Sequence, residues 1–441
     1  MDITRRDGLR LAALLAGLGA LPVGLGACGT EPGPQVSPAD PGTLGLAAAD
    51  VRRSDGSPAD LPDVVASLHG LSGGLFGELA RTPGNLVISP YSVVVALAMT
   101  LNGALGATAA EMRDVLGVED VDRFNAGLNA LTQHVEGLAG EVQLADGSRG
   151  ELVLAAANQL FGQRDTTWRK PFLATLAREY GAGMRLVDYT ANVEGARGLI
   201  NSWTAEQTRE RIPEIVPEGV LDGLTRLVLV NALYLKAPWS EPFEPELTTP
   251  AVFRTAAGAR VEVPMMHRGL ASTGFTSGPG WVGVRLPYAG DGLAMTILLP
   301  DDSAMPALID RVSGGELPQM LAGHRPTGVL LTMPRWEFRT ASPLREALVG
   351  LGMPTAFDRV EADFAGMTTD EELHVSAVLH EGFIAVNEEG TEAAAATAAV
   401  MAGTSMPVFE QTVVVDRPFL FVIHDLEHGT PLFLGRVDDP S

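Results

Sequence analysis

Cysteine is all but missing from this chain. Among 441 residues only Cys28 occurs, so no intramolecular disulfide is available to hold the fold. Lysine is nearly as scarce: Lys170 and Lys236 stand alone, and arginine carries the remaining positive charge. Basic residues number 31 against 54 acidic ones, a net charge of −23. A surface so acidic repels phosphate backbones, which argues against nucleic acid as a partner. Sulphated polysaccharides are disfavoured for the same reason, and residues 113–151 hold no basic run for a polysaccharide activator. Hydrolase and nucleotide-binding signatures are missing too: there is no S-x-x-K, H-E-x-x-H, phosphate-binding loop or C-x-x-C. The eight histidines are scattered. His424 and His428 come nearest to a pair, and in a surface turn they read as solvated rather than as metal ligands. No catalytic residue, metal or cofactor is assigned, and the chain reads as something other than an enzyme.

What is present begins with a polarised N-terminus. Arg5, Arg6 and Arg10 precede a short apolar run over residues 11–25, the pattern of a secretory signal over residues 1–27. With Gly and Pro22 in it, the run is too short for a comfortable membrane span. Leu25-Gly26-Ala27-Cys28 resembles a bacterial lipobox, which implies lipidation at Cys28 and a protein anchored at the extracellular face of the cell membrane. Thr4-Arg5-Arg6-Asp7-Gly8-Leu9-Arg10 resembles a twin-arginine export motif, although Gly8 replaces its usual large apolar residue. Residues 28–61, rich in Pro, Gly, Ala, Ser and Asp, read as a flexible tether. Residues 62–441 read as one domain without internal repeats.

Apolar residues make up 46% and charged residues 19%, the balance of a globular protein with a sizeable core. Helical spacing runs over residues 64–80, 92–102 and 344–351, and Thr108 with Glu111 fits a capping box. Residues 152–161, 225–235, 281–287, 295–299 and 329–333 have strand character. Residues 419–423 and 430–437 form a hairpin pattern around Glu427-His428-Gly429. Helices gather early and strands late, which predicts an α+β domain with large, mostly antiparallel sheets.

Near the C-terminus lies Glu388-Glu389-Gly390-Thr391-Glu392-Ala393-Ala394-Ala395-Ala396-Thr397, followed by Ala398 and Ala399. Side chains alternate faces along a strand. As a strand, Thr391, Ala393, Ala395 and Thr397 would share one face and Glu392, Ala394 and Ala396 the other. The first set is small enough to be buried, and the one charge falls opposite, where it would meet water.

Other segments give this run its context. They are Asn85-Leu86-Val87-Ile88-Ser89-Pro90-Tyr91-Ser92, then Asn102-Gly103-Ala104-Leu105-Gly106-Ala107-Thr108, then Ile200-Asn201-Ser202-Trp203 with Val216-Pro217-Glu218-Gly219. Leu229-Val230-Asn231-Ala232-Leu233-Tyr234-Leu235-Lys236-Ala237-Pro238-Trp239 follows, and then Ala362-Asp363-Phe364-Ala365-Gly366-Met367 and His380. Arg417-Pro418-Phe419-Leu420-Phe421 and Pro431-Leu432-Phe433-Leu434-Gly435-Arg436-Val437 close the series. In this order and spacing they resemble the serpin family across the whole domain.

The resemblance implies helices packed on large β-sheets with an exposed reactive loop, and Glu388 to Thr397 as its hinge. It implies a buried polar "shutter" of Ser89, Ser92, Asn231 and His380, and a "breach" at Lys236 and Trp239 where the loop enters the main sheet. Trp203 reads as core. The implied function is suicide inhibition: a serine protease cuts the loop, which inserts into the sheet and traps the acyl-enzyme. In the family's register the cut falls between Thr404 and Ser405. That small, uncharged bait implies an elastase-like or subtilisin-like target; Val400, Met401 and Met406 stay open as alternatives. A monomer without a polysaccharide activator is implied, and a non-inhibitory serpin-fold binding protein is the alternative.

Overall fold

A computed structural model of the chain describes residues 43–392 and 408–441. Cys28 and its leader, the first part of the tether, Ala393 to Thr397 and the Thr404–Ser405 bond lie outside the described residues.

Helix Pro90–Leu101 organises the core. All of its residues are buried, Val93, Val94, Val95, Leu97 and Met99 among them. A helix apolar on every side must be enclosed, and this one packs on Arg149–Gln163 and Leu227–Pro238 of one sheet and on Pro431–Val437 of the other. Its start is fixed by Ser89, whose Oγ accepts from the Ser92 N–H at 3.2 Å. Pro90 stands in the first turn, where its missing N–H costs nothing. Helices Leu61–Leu79, Gly106–Leu116, Val121–Gly137, Lys170–Tyr180 and Val193–Gln207 complete the early helical part.

The main sheet is eight-stranded. Across it lie Gly45–Ala47, Met184–Val187, Arg149–Gln163, Leu227–Pro238, Gly390–Thr391, Ala377–Val386 and Trp336–Pro343, with Gly140–Gln143 paired to Arg149–Gln163 off this path. The second sheet is nine-stranded, and six of its strands run in antiparallel succession from Arg260–Gly278 to Leu86–Ile88. The expected α+β class with large, mostly antiparallel sheets is the observed one. Trp203 is half-buried, edge-on to Phe161 at 5.4 Å.

Three expectations are corrected. The tether does not extend to residue 61, because the chain is already packed at residues 45–60. Gly45–Ala47 pairs antiparallel with Met184–Val187 at the sheet edge. Arg53 donates to Asn129 at 2.8 Å and meets Glu136 at 2.9 Å, and the Ser54 N–H bonds the Arg178 carbonyl at 2.8 Å. Backbone pairing and one arginine order this segment, and neither leaves an apolar period in the sequence. Thr108 does not cap a helix: Leu105 holds the N-cap position, while Thr108 is buried and accepts from the Asp363 N–H at 2.9 Å. His424 is not a turn residue. It is buried in Phe419–Asp425, with Nε2 3.0 Å from Thr296 Oγ1.

Candidate functional site: a seam half-opened at one end

Leu227–Pro238 and Ala377–Val386 run parallel and pair directly from Val228↔Ala377 to Leu233↔Gly382. Beyond that rung they part. Gly390–Thr391 wedges between them, antiparallel to both, with Thr391 opposite Ala237 on one side and Val386 on the other. The Glu392 N–H continues the contact to the Ala385 carbonyl at 2.8 Å. Gly390–Thr391 is thus a two-residue strand held between the two longer ones at one end of the seam.

The entry is held by a tight turn. The Asn387 side chain accepts from the Glu389 and Gly390 N–H groups at 2.9 and 3.2 Å, a local turn that Asn favours. Gly390 follows because a Cβ there would lie 2.1 Å from the Ala237 carbonyl oxygen. Trp239 clamps the outside: its N–H bonds the Glu389 carbonyl at 2.8 Å and its indole N–H bonds the Asn387 carbonyl at 3.0 Å. Its ring stacks on Tyr288 at 4.5 Å. Glu388 is buried, with Arg335 donating at 2.6 Å and Thr248 also bonded to it. Lys236 lies beside the seam and reaches Glu151 at 3.8 Å.

Thr391 and Glu392 divide between the two faces as the alternation predicted. Thr391 is 2% exposed and shares a 2.6 Å hydrogen bond with the buried Tyr288 hydroxyl. Glu392 faces the opposite way, but it does not meet water as expected. Its side chain is only 10% exposed and is paired with Arg211. Burial pushes its carboxyl up, against the pull of Arg211 and the Tyr234 hydroxyl. Tyr288, Arg211, Arg335 and Thr248 were missed by sequence reading, since each comes from a different part of the chain and matches no motif; Tyr234 lies in the Leu229–Trp239 segment but was given no role there.

Lower in the seam, Asn231 and His380 face each other across the sheet. His380 Nε2 accepts from the Ser89 N–H at 2.9 Å, so its proton sits on Nδ1, 2.6 Å from Asn231 Oδ1. Ser92 joins through its N–H to Ser89 Oγ. The four residues assigned to the shutter therefore form one buried cluster, while the Asn231 amide nitrogen and the Ser92 hydroxyl have no partner among the described residues.

Burial pushes the His380 pKa down to about 4, whereas an unfolded histidine titrates near ~6.5. The unfolded state therefore takes up a proton that the folded state refuses. His380 contributes its full stability above about pH 6.5, and that stability is lost as pH falls through the interval towards 4. His69, His324 and His424, also pushed down to about 4, act in the same sense. The urea midpoint is expected to drop between roughly pH 7 and pH 5, and to drop less in a His380→Asn variant. That comparison cancels Glu381 and Glu392, whose carboxyls burial pushes up and which act in the opposite sense. An identical drop in both proteins would remove His380 from the account.

Residues 67–440 match the serpin (serine protease inhibitor) family. The chain belongs to the serpins. An uncharacterized serpin-like protein of Thermococcus kodakarensis is 35% identical over 382 residues, which cover 86% of each chain. The leukocyte elastase inhibitor of Bos taurus is 36% identical over 370 residues, 81% of this serpin and 93% of the relative. Among solved structures, the thermophilic serpin tengpin in its native state superposes with a TM-score of 0.77 at 26% identity, covering 85% of this chain and 94% of tengpin. Human thyroxine-binding globulin, solved in complex with its ligand, has a TM-score of 0.75 at 24% identity over 87% and 100% of the two chains, a likeness of fold alone. Protease inhibition is the general activity that the family and these relatives support.

Proposed function

We propose that this serpin inhibits serine endopeptidases by loop insertion, with an elastase-like or subtilisin-like enzyme as target. The observation that carries the reading is Thr391, already buried between Ala237 and Val386. In an inserted form, continuing that register would place Ala393 opposite Leu235, and Thr397 between Asn231 and His380. Each position on the core side of the entering strand is then Ala or Thr, which a sheet can bury without stranding a charge. The Thr397 hydroxyl would reach the cluster whose Asn231 amide nitrogen and Ser92 hydroxyl lack partners. Insertion would replace the parallel rungs between Ala377–Gly382 and Val228–Leu233 with a full antiparallel strand.

The uncharged bait Ala402-Gly403-Thr404 supports a protease with a small specificity pocket, as do the relatives named as elastase inhibitors. Mixing the purified serpin with a pancreatic-type elastase, and separately with a subtilisin, is expected to give a band at the summed mass on a denaturing gel. Sequencing the released peptide is expected to report cleavage after Thr404. Clean cleavage by both enzymes with no complex would favour the non-inhibitory alternative.

We also propose attachment of the protein to the bacterial membrane through lipidated Cys28, on the strength of the lipobox pattern. A Cys28→Ser variant is expected to leave the detergent-soluble membrane fraction; retention there would refute the anchor.

A further inference from the structure

The turn joining the last two strands carries a feature that inhibition does not use. Helix Val121–Gly137 brings His134 to the turn between Phe419–Asp425 and Pro431–Val437, where Glu427 and His428 stand. One donor atom from each of His134, Glu427 and His428 lies within 4.8 Å of the other two. The Glu427 carboxylate faces both rings: Oε2 is 3.7 Å from His134 Nδ1, and Oε1 is 3.8 Å from His428 Nε2. The imidazole planes are inclined at 66°, so the rings meet edge to face and do not stack. Donors held ~2.0–2.2 Å from one tetrahedral ion sit roughly 3.3–3.6 Å apart. Small side-chain rotations would close this set around an ion.

The surroundings fix the ligands. His134 Nε2 is buried without a hydrogen-bond partner among the described residues, 3.4 Å from Asp425 Oδ1. Asp425 is fully buried. Its Oδ1 accepts from the Glu427 and His428 N–H groups at 3.1 and 2.8 Å, and its Oδ2 from the Thr430 N–H at 2.7 Å. A buried carboxylate behind a ligating imidazole holds the proton on the far nitrogen and turns the near lone pair to the metal. Here the same carboxylate also shapes the turn that presents Glu427 and His428. One acid therefore shapes the turn that carries two of the donors and stands 3.4 Å behind the third, close enough for a small ring rotation to complete the bond.

We propose that His134, Glu427 and His428 form a binding site for a divalent transition-metal cation of the zinc type, with water completing the coordination. Two imidazoles and one carboxylate suit Zn²⁺, whereas Ca²⁺ and Mg²⁺ favour sets built from oxygen. The ion would cross-link the helical part to the C-terminal hairpin.

The test is calorimetric titration of the full chain carrying Cys28→Ser, which removes the one thiol, with ZnCl₂ and in parallel with MgCl₂. One Zn²⁺ per chain is expected. At about a hundredfold excess over Kd, the apparent melting temperature is expected to rise by several degrees, with no response to Mg²⁺. His428→Ala and Glu427→Gln are each expected to weaken Zn²⁺ binding at least about tenfold while leaving the metal-free circular dichroism and melting unchanged. Glu427 is 69% exposed, so its isosteric variant keeps the fold. Undiminished Zn²⁺ affinity in both variants would overturn the proposal, as would an equal response to Mg²⁺ or no binding at about 1 mM Zn²⁺.

Discussion

Thr391→Arg is expected to abolish the covalent complex, lowering its yield at least about tenfold, while the protease still cuts the loop. Thr391 has no room to spare: it is buried between two strands, with its hydroxyl on Tyr288. A guanidinium there would sit in the core without a partner, and an uncompensated buried charge costs several kcal/mol. The strand would stay outside the sheet, and the acyl-enzyme would hydrolyse before it could be distorted. Denaturing gels of the variant and the parent at equal cleavage would read this directly. Undiminished complex in the variant would refute entry through this seam. Thr391→Ser, which keeps the hydroxyl and gives up only a methyl group, is expected to behave like the parent.

The second large effect is thermal. Cleavage within the loop is expected to raise the melting temperature by at least about 10 °C. A dozen inserted residues would add about a dozen backbone hydrogen bonds at ~0.5–1.5 kcal/mol net each, a gain on the order of 10 kcal/mol. For a domain of this size that gain corresponds to at least roughly 10 °C. Serpin loop insertion is itself an established case of strand addition, so the gain follows from this chain only if its hinge inserts. It also makes the uncleaved fold a kinetic trap. An unchanged melting curve after verified cleavage would leave only the non-inhibitory reading.

Much of this was legible in the sequence because it depends on local period. The strongly apolar run over residues 92–102 announced a helix, found as Pro90–Leu101, and Trp281–Pro287 was readable as a strand to the residue. The period of two placed Thr391 and Glu392 on opposite faces, which the structure bears out. What stayed hidden depends on contacts between distant parts of the chain. Nothing near Glu392 announces Arg211, so a side chain read as solvated is largely enclosed and ion-paired. Residues 45–60 have the composition of a linker and are ordered by an edge pairing and by Arg53. His428 was weighed against its neighbour His424, when its structural partner is His134, on a helix far earlier in the chain.

The parallel rungs between Val228–Leu233 and Ala377–Gly382 set a limit on improving this protein. If the loop inserts as proposed, they must separate before a strand can pass, and hydrolysis of the acyl bond would run against that separation from the moment the loop is cut. Substitutions that tighten these rungs would lengthen shelf life and raise resistance to heat. They would also let more protease escape per inhibitor consumed, so the most robust variant would be a mere substrate. On the proposed mechanism the useful stability of this serpin has a ceiling, set by how long its acyl-enzyme would survive.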